Sequence, residues 1–212
     1  MFKEIIIIPA YNEYKTLNKI LKKISNKYKV IVINDASTDR TDALLNAKKI
    51  ENIKNKKNKG YEKSLILGFK YVIKYYPNIE NIITFDADGE HNTFDLTKII
   101  RFFNKKKPDL LICNRINIKR LSEKKIYHKF KKKFQLKDPL SGLKVYKVSV
   151  LKNFIEKLKF KYFLVDLVKL YCNSNCKVIN YPIKCNIIRN RKARIGNIAK
   201  ANNKILNIQK II

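Results

Sequence analysis

The chain alternates short, unbroken apolar runs with segments whose apolar residues return every three or four positions. Ile5 to Ile8 is a β-branched run that stops at Pro9, and Val30 to Ile33 is another that stops at Asn34-Asp35. Runs without polar alternation suit strands covered on both faces. Between them Leu17, Ile20, Leu21 and Ile24 keep helical spacing, so this stretch predicts a strand-helix-strand unit with a parallel pair and a right-handed crossover. Helices over Thr41 to Lys49 and Glu62 to Tyr75 lead to a strand at Ile82 to Phe85. A helix over Asp95 to Asn104 and strands at Leu110 to Cys113, Leu143 to Tyr146 and Val178 to Tyr181 follow. The alternation predicts an α/β fold: a mostly parallel central sheet flanked by helices on both faces. No internal repeat and no Gly/Ser- or Pro-rich linker divides residues 1–212, which are expected to form one domain.

In open α/β sheets ligands lie beyond the carboxyl ends of the strands. The first run ends in Pro9-Ala10-Tyr11-Asn12-Glu13, the second in Asn34-Asp35-Ala36-Ser37-Thr38-Asp39 and the third in Asp86-Ala87-Asp88-Gly89-Glu90-His91. Two carboxylates two residues apart after a buried strand repel each other unless a cation or hydrogen-bond donors sit between them. A hard cation such as Mg²⁺ or Mn²⁺ takes one or two carboxylates and completes its shell with water and phosphate oxygens. Asp86 and Asp88 are therefore candidate ligands, with Glu90 as a third. The alternative is a turn in which both cap a helix beginning near Thr93. Thr38 or Asp39 suits the N-cap of the following helix, whereas Asp35 has nothing to cap and can accept from the imide edge of a nucleobase.

Lys and Arg total 48 against 17 Asp and Glu, a formal charge of +31. That balance attracts nucleic acid, anionic lipid or phosphorylated substrates without choosing among them. Nucleic acid is not the expected partner, because zinc-finger spacing and an RNP-like strand are missing and three strand tips are acidic. A nucleotidyltransferase would need a Gly-rich basic loop where Pro9 to Glu13 stands. Cys113, Cys172, Cys176 and Cys185 form no CxxC pair and read as reduced structural thiols. No secretory signal is visible, and no apolar run approaches the roughly 18 residues that span a bilayer. The expected location is cytoplasmic, peripheral to the inner face of the membrane.

Together the motifs resemble the inverting family 2 glycosyltransferases that include the dolichol-phosphate and polyprenyl-phosphate sugar synthases. The resemblance covers about residues 4 to 196. It rests on Ile8-Pro9-Ala10-Tyr11-Asn12-Glu13, Val32-Ile33-Asn34-Asp35-Ala36-Ser37-Thr38-Asp39, Asn58-Lys59-Gly60-Tyr61, Phe85 to His91 and Asp138-Pro139-Leu140-Ser141-Gly142. It implies a GT-A fold, a nucleotide-sugar donor and Mg²⁺ or Mn²⁺. Pro9, Tyr11, Glu13, Lys59 and Ala87 would line the nucleotide pocket, Asp35 would read the base, and Asp86 would face the ribose. Asp88 and Glu90 would carry most of the metal coordination, with His91 orienting Glu90 or touching the diphosphate. The chain departs from the family in having Gly60-Tyr61-Glu62-Lys63-Ser64 at a commonly small turn, Glu90 where Gln is frequent, and Ala193 where Ser often precedes the last Arg.

The acceptor divides two mechanisms. A sugar hydroxyl needs a base, and Asp138 is the candidate. A polyprenyl phosphate is already an anion and needs cations instead. Arg115, Arg191, Lys192 and Arg194 match where lipid-phosphate members place basic residues, and Ser141 is a further acceptor contact; the alternative for residues 189–194 is a solvated basic loop. In Lys119 to Lys137 nine of nineteen residues are Lys or Arg, with Tyr127, Phe130 and Phe134 among them. Such a segment suits an anionic membrane surface or a mobile acceptor loop. Residues 197–212 suggest an amphipathic helix, packed on the core or touching membrane. Longer relatives carry transmembrane helices beyond this point, so membrane contact is expected to be peripheral or through a membrane-protein partner.

Overall fold

The computed structural model describes residues 2–117, 121–156 and 162–186. Seven strands form one sheet: β1 (Glu4–Ala10), β2 (Lys29–Asn34), β3 (Glu51–Lys54), β4 (Asn81–Thr84), β5 (Leu110–Arg115), β6 (Lys144–Lys147) and β7 (Val178–Ile183). Their order is β3-β2-β1-β4-β6-β5-β7. β6 runs antiparallel to β4 and to β5, and every other pair is parallel. The helices are α1 (Tyr14–Ile24), α2 (Thr41–Ala47), α3 (Tyr61–Tyr75), α4 (Asp95–Lys106), α5 (Leu121–Phe134), α6 (Val148–Ile155) and α7 (Phe163–Asn173).

The continuous apolar runs are explained by a sheet with two buried faces. Ile5, Ile7, Ile31 and Ile33 point to one side, where they meet Leu65, Phe69 and Val72 of α3 and Val165 and Val168 of α7. Ile6, Ile8, Val30 and Val32 point to the other, against Leu17 and Leu21 of α1, Leu44 and Leu45 of α2, and Ile99 and Phe103 of α4. Alternate residues of one strand thus feed two cores. α3 lies close on the sheet at Gly68, where a Cβ would come within 2.7 Å of Ile7.

β3 was not expected from the sequence, because Glu51-Asn52-Ile53-Lys54 has a single apolar side chain and lies at the sheet edge. Side-chain polarity holds it instead. Glu51 accepts hydrogen bonds from Tyr71 (2.9 Å) and Tyr76 (2.5 Å) and pairs with Lys29 at 2.5 Å. The structure also adds α6 and α7. Asp39 binds the Thr41 amide of α2 at 2.9 Å and the Tyr14 amide of α1 at 3.0 Å, so one carboxylate serves two helix starts. Residues 121–134 of the basic stretch form α5, with Ile126 and Phe130 fully buried in the core. Each such side chain contributes about 1.5–3 kcal/mol by leaving water. His128, Lys129, Lys131, Lys132 and Lys133 stay exposed. No helix among the described residues is long and apolar enough to cross a membrane. Arg189 to Arg194 and the stripe from Ile198 to Ile212 lie outside the described residues.

Candidate active site

The carboxyl ends of β1, β2 and β4 bring the three polar tips side by side. Asn12 joins the first two: its side-chain oxygen accepts from the Thr38 amide at 2.7 Å, and its own amide donates to Ser37 Oγ at 3.0 Å. Asp35, at the end of β2, is buried and accepts from the Lys59 and Gly60 amides, both at 2.8 Å, and from Asn55 Nδ2 at 2.7 Å. Its carboxylate therefore fixes the turn that launches α3. Pro9 and Ala87 are buried, Lys59 is exposed, and the Tyr11 side chain is 47% exposed, a ready wall for a planar ring. Glu13 stands at the start of α1 and accepts from Thr16 at 3.4 Å.

Asp86 is held at both of its carboxylate oxygens. Tyr61 Oη donates to its Oδ1 at 2.6 Å, and His91 Nε2 lies 3.2 Å from Oδ2. A Cβ on Gly142 would come within 2.0 Å of the same oxygen, so the carboxylate rests directly on that glycine. His91 thus orients Asp86, not Glu90 as expected from sequence. Burial alone would lower the His91 imidazole, but the hydrogen bond to Asp86 and the contact with Cys185, 3.7 Å away, outweigh it and push it up to about 10. Tyr61 and His91 between them engage both oxygens of Asp86.

Asp88 and Glu90 share the next turn, where Asp88 Oδ1 accepts the Glu90 amide at 3.0 Å. Among the described residues no three His, Cys, Asp or Glu side chains converge as a ready metal cage. Two carboxylates in one turn fit Mg²⁺ or Mn²⁺, which complete their shells with phosphate and water oxygens.

The third cluster surrounds Arg115 at the end of β5. Its Nε and Nη2 make a two-point pair with Asp138 at 2.8 and 2.9 Å, and its backbone amide also donates to Asp138 at 2.9 Å. Nη2 further meets Tyr127 Oη at 2.8 Å and Glu123 at 3.2 Å, while Nη1 stands 3.9 Å from Glu90. Asp138 is 1% exposed and fully occupied by the guanidinium, which leaves it unsuited to the base role expected for it. Ser141 is buried too, and its hydroxyl bonds the Leu143 backbone, so it holds the turn. Glu123 and Tyr127 went unrecognised as site residues because nothing in a lysine-rich segment marks which side chains face inward.

A cavity of about 440 Å³ opens beside this cluster, lined by Asn114, Arg115, Ile116, Tyr127, His128, Lys131, Lys137 and Asp138. A larger hollow of about 670 Å³, lined by Lys3, Glu80, Asn81, Lys107, Lys147 and others, lies where β1 and β4 begin. The smaller one adjoins the strand tips, where ligands of such sheets bind.

Residues 5–170 match the family model described as Glycosyl transferase family 2. The chain belongs to glycosyl transferase family 2. A UDP-N-acetylglucosamine–dolichyl-phosphate N-acetylglucosaminyltransferase of Methanococcus voltae is 26% identical over 187 residues, 74% of each protein. An uncharacterised protein of Methanocaldococcus jannaschii is 34% identical over 98 residues, 45% of this chain and 40% of that protein. A dolichol-phosphate mannosyltransferase of Pyrococcus furiosus is 30% identical over 104 residues, 45% of this chain and 28% of that protein. The alignments with the Methanocaldococcus jannaschii relatives span less than half of those proteins. Among solved structures, glucosyl-3-phosphoglycerate synthase of Mycobacterium tuberculosis with phosphoglyceric acid superposes with a TM-score of 0.76 at 14% identity, covering 98% of this chain and 79% of that one. S. aureus TarS with UDP-GlcNAc gives 0.62 at 15% identity, covering 99% and 66%. The sheet is the GT-A fold of this family 2 member.

Lys144 is the family 2 domain's one fully buried lysine among the described residues, and its Nζ donates to the Ser141 carbonyl. Burial draws its ammonium down to about 8 from 10.5, with Asp138 and Asp86 pulling the other way. The unfolded chain therefore binds more protons than the folded one between those values, so this group adds stability as pH rises through that window. Lys144→Met is expected to flatten that rise. Melting temperatures of both proteins from pH 7.5 to 10 test this, and parallel curves would refute it.

Proposed function

We propose that this chain transfers a sugar, with inversion, from a UDP- or GDP-sugar to a polyprenyl phosphate. The carrying observation is the Arg115–Asp138 pair. The one carboxylate suited to deprotonate a sugar hydroxyl is spent on a guanidinium, while the Nη1 side of that guanidinium faces Glu90. An acceptor phosphate is already a nucleophile and needs a cation, not a base. The Methanococcus voltae relative, named for a dolichyl-phosphate acceptor and aligned over 74% of its length, supports the same reading.

The donor's diphosphate is placed at Asp88 and Glu90, its ribose at Asp86 and its base near Tyr11 and Asp35. Pro9, Glu13, Lys59 and Ala87 complete the nucleotide surface. Asp35 can meet the base at Oδ2, which among the described residues accepts the Gly60 amide alone. A divalent cation at Asp88 and Glu90 would neutralise the charge gathering on the leaving diphosphate. The acceptor phosphate is placed in the 440 Å³ cavity, with Arg115, Lys131 and Lys137 around it. Arg191, Lys192 and Arg194 are further proposed contacts. The exposed lysines of α5 would hold the domain to an anionic bilayer, each contributing about 1 kcal/mol near the surface.

The test is to incubate the protein with Mn²⁺, a panel of UDP- and GDP-sugars, and either polyprenyl phosphate or free saccharides. Lipid-linked sugar is the expected product. Transfer confined to saccharide hydroxyls and lost in Asp138→Asn would reject the lipid-phosphate acceptor.

A further inference from the structure

Arg115 spends its hydrogen bonds unevenly. A guanidinium carries five N–H donors in a rigid plane. The single Nε donor goes to Asp138, and the two Nη2 donors face three acceptors: Asp138 Oδ1, Tyr127 Oη and Glu123 Oε2. Among the described residues that leaves Nη1, which stands 3.9 Å from Glu90 Oε2, too far for a hydrogen bond. The end of the guanidinium that can still bind a phosphate oxygen is thus the end turned toward the proposed metal-binding turn.

Two of the groups that set this direction come from α5, a helix that is not part of the sheet. Tyr127 accepts from Arg115 and donates to Glu123 at 2.8 Å, and Glu123 also accepts from Arg115, which closes a three-membered ring of hydrogen bonds. Glu123 is the only acidic residue of α5, yet it is buried. An acid placed for solubility would lie among the exposed lysines. Burying a carboxylate is costly unless it is paired, and Arg115 and Tyr127 both pair it here.

We propose that Glu123 and Tyr127 are positioning residues that aim Nη1 of Arg115 at the Glu90 turn, so that α5 must be seated for the acceptor's phosphate to be held in line with the donor. The proposal rests on the polyprenyl-phosphate reading above. It makes the acceptor-covering helix part of the catalytic geometry: losing the hydroxyl or the charge lets the guanidinium swing about its Asp138 edge.

Tyr127→Phe keeps the ring and removes one hydroxyl, and Glu123→Gln keeps the shape and removes the charge. Loss of one hydrogen bond to a charged group corresponds to about ten-fold. Each variant is therefore expected to raise the KM for polyprenyl phosphate by about that factor, with the KM for the active nucleotide-sugar within about two-fold. Arg115→Lys serves as the reference. If it raises acceptor KM while both α5 variants leave it unchanged, the two residues only pack and the inference fails alone. If Arg115→Lys leaves acceptor KM unchanged, the acceptor reading fails and takes the inference with it. An equal loss of kcat with no KM split, accompanied by a lower Tm in Tyr127→Phe, would also overturn the positioning role.

Discussion

Asp88→Ala loses sugar transfer by about a thousand-fold, the scale of removing several kcal/mol of charge stabilisation from a leaving diphosphate. The fold stays intact, because Asp88 sits in a turn after β4, outside the strands and helices, where its Oδ1 accepts the Glu90 amide at 3.0 Å. The measurement pairs turnover of the nucleotide-sugar with Mn²⁺ binding followed by electron paramagnetic resonance and with a melting curve. Full activity in Asp88→Ala would remove the metal site from the account. Lost activity with unchanged Mn²⁺ affinity would move the metal elsewhere while leaving Asp88 important. The comparison with Asp86→Ala separates the two carboxylates: Asp86, gripped by Tyr61 and His91, should affect nucleotide-sugar KM more than Mn²⁺ affinity.

Gly142→Ala is the second large effect, on the order of a hundred-fold in transfer with about 1–3 kcal/mol of lost stability from overpacking. One methyl group is enough because the new Cβ would fall 2.0 Å from Asp86 Oδ2 and 2.3 Å from its Cγ and Oδ1. The carboxylate has nowhere to retreat, since Tyr61 holds one oxygen and His91 the other. Backbone strain is not the cause: among the described residues the glycines of positive φ are Gly60 and Gly89, not Gly142. A double variant supplies the check. Once Asp86→Ala has removed the carboxylate, adding Gly142→Ala should cost little further stability, a non-additivity expected only of groups in contact. Additive losses in the melting temperature would show that the glycine matters for some other reason.

The parts of the molecule that could be read from sequence are those where local pattern and final structure share a cause. Ile5 to Ile8 and Val30 to Ile33 are apolar at every position because both faces of their strands are covered, and the polar tips follow because a parallel sheet opens at its carboxyl ends. β3 escaped notice because Glu51 is held by two tyrosines more than nineteen positions away, which no window around residue 51 contains. The site divides the same way. Asp88 and Glu90 stand in one turn and could be paired by spacing. Asp86 and Tyr61 are separated by 25 positions and Arg115 and Asp138 by 23. No periodicity links them, so Asp138 looked like a free base and Ser141 like an acceptor contact. The bulky Tyr61 in a turn that relatives keep small was the one local sign that this turn has a partner.

The place of β6 between β4 and β5 also shapes how the chain is made. β4 is complete at Thr84 and β5 at Arg115, but neither can pair on its facing edge until Lys144 to Lys147 has left the ribosome. During that interval β4 carries one open edge and β5, whose other neighbour β7 comes later still, carries two, the kind of surface that recruits neighbouring chains into aggregates. What is being synthesised meanwhile is α5, the most heavily lysine-bearing helix described, and its charge repels identical chains on a crowded polysome. The same lysines that face outward in the finished domain thus act first as a guard on its unfinished sheet.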